Sequence, residues 1–328
     1  MTGLLIMRSM YERYAEEIAA MSGGDRIEPI FVPDTGDRLS PELMSQIEIA
    51  TPPPRDEDAS GARYFYGSAI RSPNLKWIHL PHAGIDDAVF GRLLEQGVRL
   101  TNVSGAMAEP IAWSAIAGLL YLGRGFPHWA AGQQRSEWTP QALGAEPVDL
   151  REQTAVVVGL GAIGSAVARL AQALSLHVIG VRRSPPREGD PVDELVTPDA
   201  LATVLPRADW LIVTTPLTAQ TRGLIDEAAL DLLPRGARVV NVARGAIIDE
   251  PAMIARLTDG RLGGAYLDVF AEEPLSEASS LWSMPNVLVT PHNSEAVRHP
   301  ERRLDAYFLR NLQHWLLDEP LENEVSER

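Results

Sequence analysis

The chain has 328 residues, 45% of them hydrophobic, enough for two domains with substantial cores. It carries no cysteine, which excludes disulfides, thiolate catalysis and cysteine-held metals. A net charge of −15 argues against nucleic acid or an anionic membrane surface as a partner, so an anionic cofactor or substrate must be met by locally placed arginines.

In chain order, residues 4–7 read as a strand, 10–21 as a helix and 28–32 as a second strand, the start of a β/α alternation. The opening apolar run is too short for a secretory core, and cytoplasmic residence is the default expectation. The proline-rich, charged stretch 51–60 reads as a surface loop, followed by strands at 62–66 and 75–80. Lys76, the only lysine, is the sole candidate for Schiff-base or lysine-base chemistry, but its strand-like setting NLKWIHL favours a structural role. In PHAGIDD, Ala83 and Gly84 either offer backbone N–H groups to a carboxylate or simply turn a strand into a helix. A helix over 86–96 closed by Gly97, a strand over 98–103 and a long apolar helix over 107–122 follow. Residues 123–144, rich in glycine, proline and tryptophan, read as a loop. The longest apolar run, 110–123, is shorter than the roughly 20 residues that span a membrane.

The next stretch, TAVVVGLGAIG at 154–164, organises the remainder. A β-branched strand leads into a glycine turn and then a helix that includes Ala162 and Ile163. Gly159 makes the turn, Gly161 lets backbone approach a pyrophosphate, and Gly164 lets helix and strand pack closely. The diphosphate then sits on a helix N-terminus with its free N–H groups and positive dipole end. A second strand at 177–181 completes the βαβ unit, and the unit reads as a dinucleotide site. Further strands at 210–213, 237–241, 264–269 and 287–289, with helical segments between, fit a doubly wound parallel sheet. A final helix over 300–317 puts Leu304, Phe308, Leu312 and Trp315 on one face, able to return to the first domain.

Several residues at strand ends can carry chemistry. Where an NAD site usually has an acidic residue, this chain has Arg182, Arg183 and Ser184, a set suited to a 2′-phosphate and hence to NADP(H), with NAD(H) also possible. Thr215 and Pro216 leave the strand at 210–213 beside the expected cofactor. Arg244 follows the strand at 237–241, where a guanidinium can grip a carboxylate with two parallel hydrogen bonds. Asp268 and Glu273 follow the next strand, and His292 occupies the matching position after the last. A histidine held by a carboxylate is favoured in its charged form and can act as a general acid. The seven histidines show no metal-site spacing, and no metal is expected.

With GLGAIG, TTPLTAQTRGLI, NVARGAIIDE, LDVFAEEPL and TPH in this order, the sequence resembles the D-isomer-specific 2-hydroxyacid dehydrogenases over nearly its whole length. The resemblance implies an α/β fold of two Rossmann-like domains. A doubly wound cofactor domain, residues 103–294, is inserted into a discontinuous flavodoxin-like substrate domain, 1–102 plus 295–328, with a cleft between them closed by hinge motion. It implies that Arg244 binds and polarises a 2-oxo acid, that Glu273 orients His292 and keeps it charged, and that His292 protonates the carbonyl oxygen as hydride reaches carbon. Asp268 would stand near the nicotinamide, Thr221 and Ala243 would join the cofactor contacts, and Ala83 and Gly84 would hold the substrate carboxylate. Homodimerisation through the cofactor domain, by the helix at 107–122, is the family expectation.

Two departures stand out: Glu109-Pro110 opens that helix, and NSEAVRHP follows His292 in place of a run of small residues. The arginine pair and the short chain resemble the glyoxylate/hydroxypyruvate reductase branch. The competing readings are an NAD-dependent D-lactate or D-3-phosphoglycerate dehydrogenase and a dinucleotide-sensing protein without turnover.

Overall fold

A computed structural model describes residues 2–21, 27–32, 39–52, 59–82, 88–142 and 147–325. The chain divides into two compact units, Met1–Ala106 with Arg298–Arg328, and Met107–Val297.

In the first unit the elements are β1 (Thr2–Ile6), α1 (Arg8–Ala20), β2 (Ile27–Ile30), α2 (Pro41–Met44), β3 (Ile47–Thr51), α3 (Ala59–Arg71), β4 (Trp77–Leu80), α4 (Ala88–Glu95) and β5 (Arg99–Asn102). The strands form a parallel sheet in the order β2-β1-β3-β4-β5, the doubly wound flavodoxin-like arrangement. Both faces of such a sheet are covered, so β1 and β4 are buried along their whole length.

The second unit begins with α5 (Ala108–Gly123) and α6 (Phe126–Gln134). It continues through β6 (Thr154–Val158), α7 (Ala162–Ala173), β7 (His177–Val181), β8 (Glu194–Val196), α8 (Leu201–Val204) and β9 (Trp210–Val213). After α9 (Glu227–Leu232) come β10 (Arg238–Asn241), α10 (Glu250–Thr258), β11 (Gly264–Leu267) and β12 (Val287–Val289). Its parallel sheet runs β12-β11-β10-β9-β6-β7-β8, which reverses direction between β6 and β9 as a dinucleotide fold does. Clusters on the two faces, one around Val156, Leu211 and Val239 and one around Val157, Ile212 and Val240, make the core.

The last helix, α11 (Glu301–Leu316), belongs to the first unit, as the spacing of Phe308, Leu312 and Trp315 predicts. Trp77 of β4 stacks on Phe308 at 5.8 Å and on Trp315 at 5.6 Å. Trp77 and Phe308, both fully buried, are each worth about 3–5 kcal/mol against truncation, and half-buried Trp315 covers them.

The structure corrects two readings. Residues 62–66 are not a strand but part of α3; Phe65, Ser68 and Ala69 are buried, a spacing of three and four that marks a helix. The aromatic run RYFY has strand composition, and tertiary packing overrides it. The expected loop 123–144 contains α6, which Gly125 introduces in a left-handed conformation and which takes Pro127 in its first turn, where proline lacks no needed donor. Strand β3 has no counterpart in the sequence reading, because IEIAT is short and lacks turn signals on its N-terminal side. Of the proline-rich stretch, residues 53–58 lie outside the described residues. Pro110 falls in the first turn of α5, and Glu109 pairs with Arg169 of α7 at 2.7 and 2.8 Å.

Candidate active site

The sheet of the second unit delivers the candidate residues to one edge, because each follows the C-terminal end of its own strand: Gly159 after β6, Arg182 after β7, Thr215 after β9, Arg244 after β10, Asp268 after β11 and His292 after β12. In open α/β sheets ligands bind at that edge, at the point where strand order reverses.

The glycine turn tests whether a dinucleotide fits. Gly159 has φ +100° and lies against Thr215, and a Cβ at Gly164 would strike the Gly159 carbonyl oxygen, so both glycines are required by packing. A Cβ at Gly161 would meet nothing within 4 Å. Its lack of a side chain therefore keeps open the space at the N-terminus of α7, where Gly161 is the N-cap and contributes no side-chain bond. Ala162 and Ile163 form the first turn, and the free N–H groups of that turn are the natural seat of a pyrophosphate. Thr214, which sequence reasoning passed over, donates to the Gly159 carbonyl at 2.7 Å and ties β9 to the turn. Thr221 accepts from the Thr218 N–H at 2.7 Å and donates to the Pro216 carbonyl at 2.6 Å, folding the loop that leaves Thr215 and Pro216.

The expected arginine pair is split. Arg182 donates to both oxygens of Asp190, at 2.8 and 2.6 Å, and to the carbonyls of Ser184 and Pro185. The bonds from Arg182, then that from the Arg187 N–H, hold the Asp190 carboxyl down at about 2. An acidic residue does stand against the first arginine: it arrives from eight residues further on, across a loop that sequence spacing does not close. Arg183 is exposed, and its side chain has no hydrogen bond or ion pair among the described residues.

After β10, buried Asn241 takes the Ala243 N–H on its side-chain oxygen at 3.1 Å and donates to the Arg244 carbonyl at 3.2 Å. This turn sets Arg244 at the surface, where one guanidinium nitrogen donates to the Ala243 carbonyl at 2.6 Å. Gly245 follows because a Cβ there would collide with the Phe270 backbone.

Glu273 and His292 meet. The His292 Nδ1 lies 2.7 Å from Glu273 Oε2, while Oε1 accepts the Phe270 N–H at 3.0 Å. A carboxylate only accepts, so Nδ1 carries the proton of that bond and Nε2 is left for chemistry. Burial pushes the Glu273 carboxyl up, but the bonds from His292 and Phe270 and the charges of His292 and Arg244 outweigh it and hold the group below its ordinary value. Arg244 is thus close enough for its charge to act on the same carboxylate that holds His292.

His292 sits at φ +51°, a left-handed conformation costly for a residue with a side chain, and its N–H donates to the carbonyls of Asp268 and Thr290. The side chain of Asp268, 1% exposed, accepts from Thr290, Asn293 and Ser294. It therefore faces the turn that carries His292. Ala83 and Gly84 lie outside the described residues. Among the described residues no group of three His, Asp or Glu side chains could hold a metal ion.

The family described as "D-isomer specific 2-hydroxyacid dehydrogenase, NAD binding domain" matches residues 116–294. An "uncharacterized protein in mprR 3'region" of Streptomyces coelicolor is 36% identical over 222 residues, 68% of this chain and 78% of that protein. Glyoxylate/hydroxypyruvate reductase B of Yersinia enterocolitica is 30% identical over 308 residues, 92% of this chain and 93% of that protein. Among solved structures, a D-isomer-specific 2-hydroxyacid dehydrogenase from Xanthobacter autotrophicus in complex with NADPH and MES superimposes with a TM-score of 0.71 at 28% identity, over 99% of this chain and 98% of that one.

Proposed function

Because the chain belongs to the D-isomer-specific 2-hydroxyacid dehydrogenases, NAD(P)-dependent oxidoreductases, we propose that it is an NADP(H)-preferring reductase of small 2-oxo acids of the glyoxylate or hydroxypyruvate kind. The observation that carries the reading is the 2.7 Å contact between Glu273 and His292, at the same sheet edge that bears Arg244. Arg244 grips and polarises the 2-oxo acid. His292, steadied through Nδ1 by Glu273, gives the proton on Nε2 to the carbonyl oxygen. The nicotinamide, when bound, supplies the hydride that the carbonyl carbon receives. Proton and hydride together make the D-2-hydroxy acid.

The turn at Gly159, Gly161 and Gly164, with Ala162, Ile163, Thr215, Pro216, Thr221, Ala243 and Asp268 around it, is assigned to the cofactor. Residues 103–294 are the cofactor domain, and 1–102 with 295–328, including Ala83 and Gly84, hold the substrate. Preference for NADP(H) rests on Arg183 and Ser184, and on an NADPH-bound structural relative. NAD(H) use has one observation in its favour, the neutralisation of Arg182 by Asp190.

A homodimer through the cofactor domain is supported by apolar surface on and after α5 and α6. Trp113 and Phe126 are each 49% exposed, and Trp138 is 96% exposed. Such aromatic exposure is unusual unless a partner covers it. No helix among the described residues is long and apolar enough to cross a membrane, and cytoplasmic residence remains our reading.

The test is the initial rate of NADPH and of NADH oxidation with glyoxylate, hydroxypyruvate, pyruvate and an aromatic 2-oxo acid. We expect the highest kcat/KM with NADPH and with glyoxylate or hydroxypyruvate. Binding of the cofactor with no oxidation of it by any 2-oxo acid would overturn the reductase reading in favour of a sensor.

A further inference from the structure

Helix α5 touches the turn that carries His292 through Ser114 and, one helical turn on, packs Gly118 against Tyr266 of β11. Ser114 Oγ donates to the Ser294 carbonyl at 2.8 Å. Four residues on, Gly118 lies flat against the Tyr266 ring, where a Cβ would collide with ring atoms. The Tyr266 hydroxyl is 3.1 Å from Thr290 Oγ1, and Thr290 Oγ1 donates to Asp268 Oδ1 at 2.6 Å. Because the Thr290 proton is committed to the carboxylate, Tyr266 is the donor in its pair.

Asp268 closes the arrangement. Its Oδ1 also accepts the Asn293 N–H at 2.9 Å, its Oδ2 accepts the Ser294 N–H at 3.1 Å, and its carbonyl accepts the His292 N–H at 2.8 Å. Every backbone N–H from His292 to Ser294 is thus bonded to Asp268, and the far end of the turn is held by Ser114. A left-handed histidine keeps that conformation only when its surroundings over-determine it, and these bonds do so.

We propose that Ser114 and Asp268 are positioning residues that fix the His292 imidazole for proton transfer, making α5 part of the acid's support. The inference rests on the assignment of His292 as the acid. Ser114→Ala removes this bond from α5 to the end of the turn. Asp268→Asn keeps the size of the side chain but sets an amide N–H against a backbone N–H.

The experiment combines steady-state kinetics on the full chain with hydrogen exchange of the Asn293 and Ser294 amides. Ser114→Ala should speed exchange at those two amides about tenfold and lower kcat roughly threefold to tenfold, with KM for NADPH and for glyoxylate within about twofold, since small displacements of a reacting group are costly. Asp268→Asn should speed exchange at the same amides more strongly, and Ser114→Thr, which retains the hydroxyl, should keep both exchange and kcat at the parent values. Unchanged exchange in Ser114→Ala overturns the tether, whatever turnover does. Faster exchange with unchanged kcat overturns the positioning role. Exchange is read without catalysis, so failure of the acid assignment shows separately, as full turnover in His292→Ala.

Discussion

Arg182 and Asp190 meet in a two-pronged ion pair, at 2.8 and 2.6 Å, that closes the loop between them. With the Ser184 and Pro185 carbonyls also engaged, the guanidinium serves its own loop, and the neighbouring arginine is the one turned to solvent.

Arg183→Ala should therefore weaken NADPH binding about tenfold, the value of one charge-assisted hydrogen bond, and leave NADH within about twofold. Arg182→Ala should weaken both cofactors alike by loosening the loop. Fluorescence titration of the two cofactors separates these effects, and equal losses for Arg183→Ala would remove the arginine from phosphate recognition.

His292→Ala should lower kcat by about two to four decades while cofactor affinity holds, the usual contribution of a placed acid. Glu273→Gln keeps the shape of the contact but can set an amide N–H where the carboxylate accepted the Nδ1 proton of His292 or the Phe270 N–H, so the imidazole loses its fixed partner. kcat should fall about tenfold while NADPH affinity holds within about twofold. A kcat for Glu273→Gln equal to the parent's would remove the carboxylate from the orientation of His292.

His79 links pH to stability. Thr101 Oγ1 accepts from Trp77 at 2.9 Å and shares a second hydrogen bond with His79 Nδ1 at 2.8 Å, while the buried Nε2 of His79 has no partner among the described residues. Burial pushes this histidine from 6.5 down to about 3. The unfolded chain takes up a proton below pH 6.5 that the folded chain refuses, so stability is full above that value and declines as pH falls toward 3. The loss from this one group amounts to about 2 kcal/mol by pH 5. Chemical denaturation at pH 7 and pH 5 measures it, and His79→Leu should flatten the difference; an equal slope in both proteins would clear His79.

The features legible in the sequence are those in which a residue type answers a local backbone demand. GLGAIG could be read because Gly159 needs a left-handed turn and Gly164 needs contact with a carbonyl, and both demands arise within a few residues. Six of the seven strands of the second unit were equally plain, since β9 and β12 are short apolar runs between turn signals, whereas β8, three half-buried residues at the sheet edge, was not read. Asp190 was not legible, because its partner lies across a loop whose closure is itself made by the pair. The work of Asp268 was hidden for a similar reason: its acceptors are filled by residues 22 to 26 positions away, brought close only when β11 and β12 align. Ser114 looked like one small residue in an apolar helix, and its role depends on a carbonyl 180 positions on.

The stacking of Phe308 and Trp315 on Trp77 sets an order of events during synthesis. All seven strands of the second sheet are translated before α11 is, so that inserted unit can close on itself while the first sheet still lacks the cover over β4. The half of the protein made first is then the half finished last, and an apolar tryptophan surface waits for the ribosome to deliver its lid.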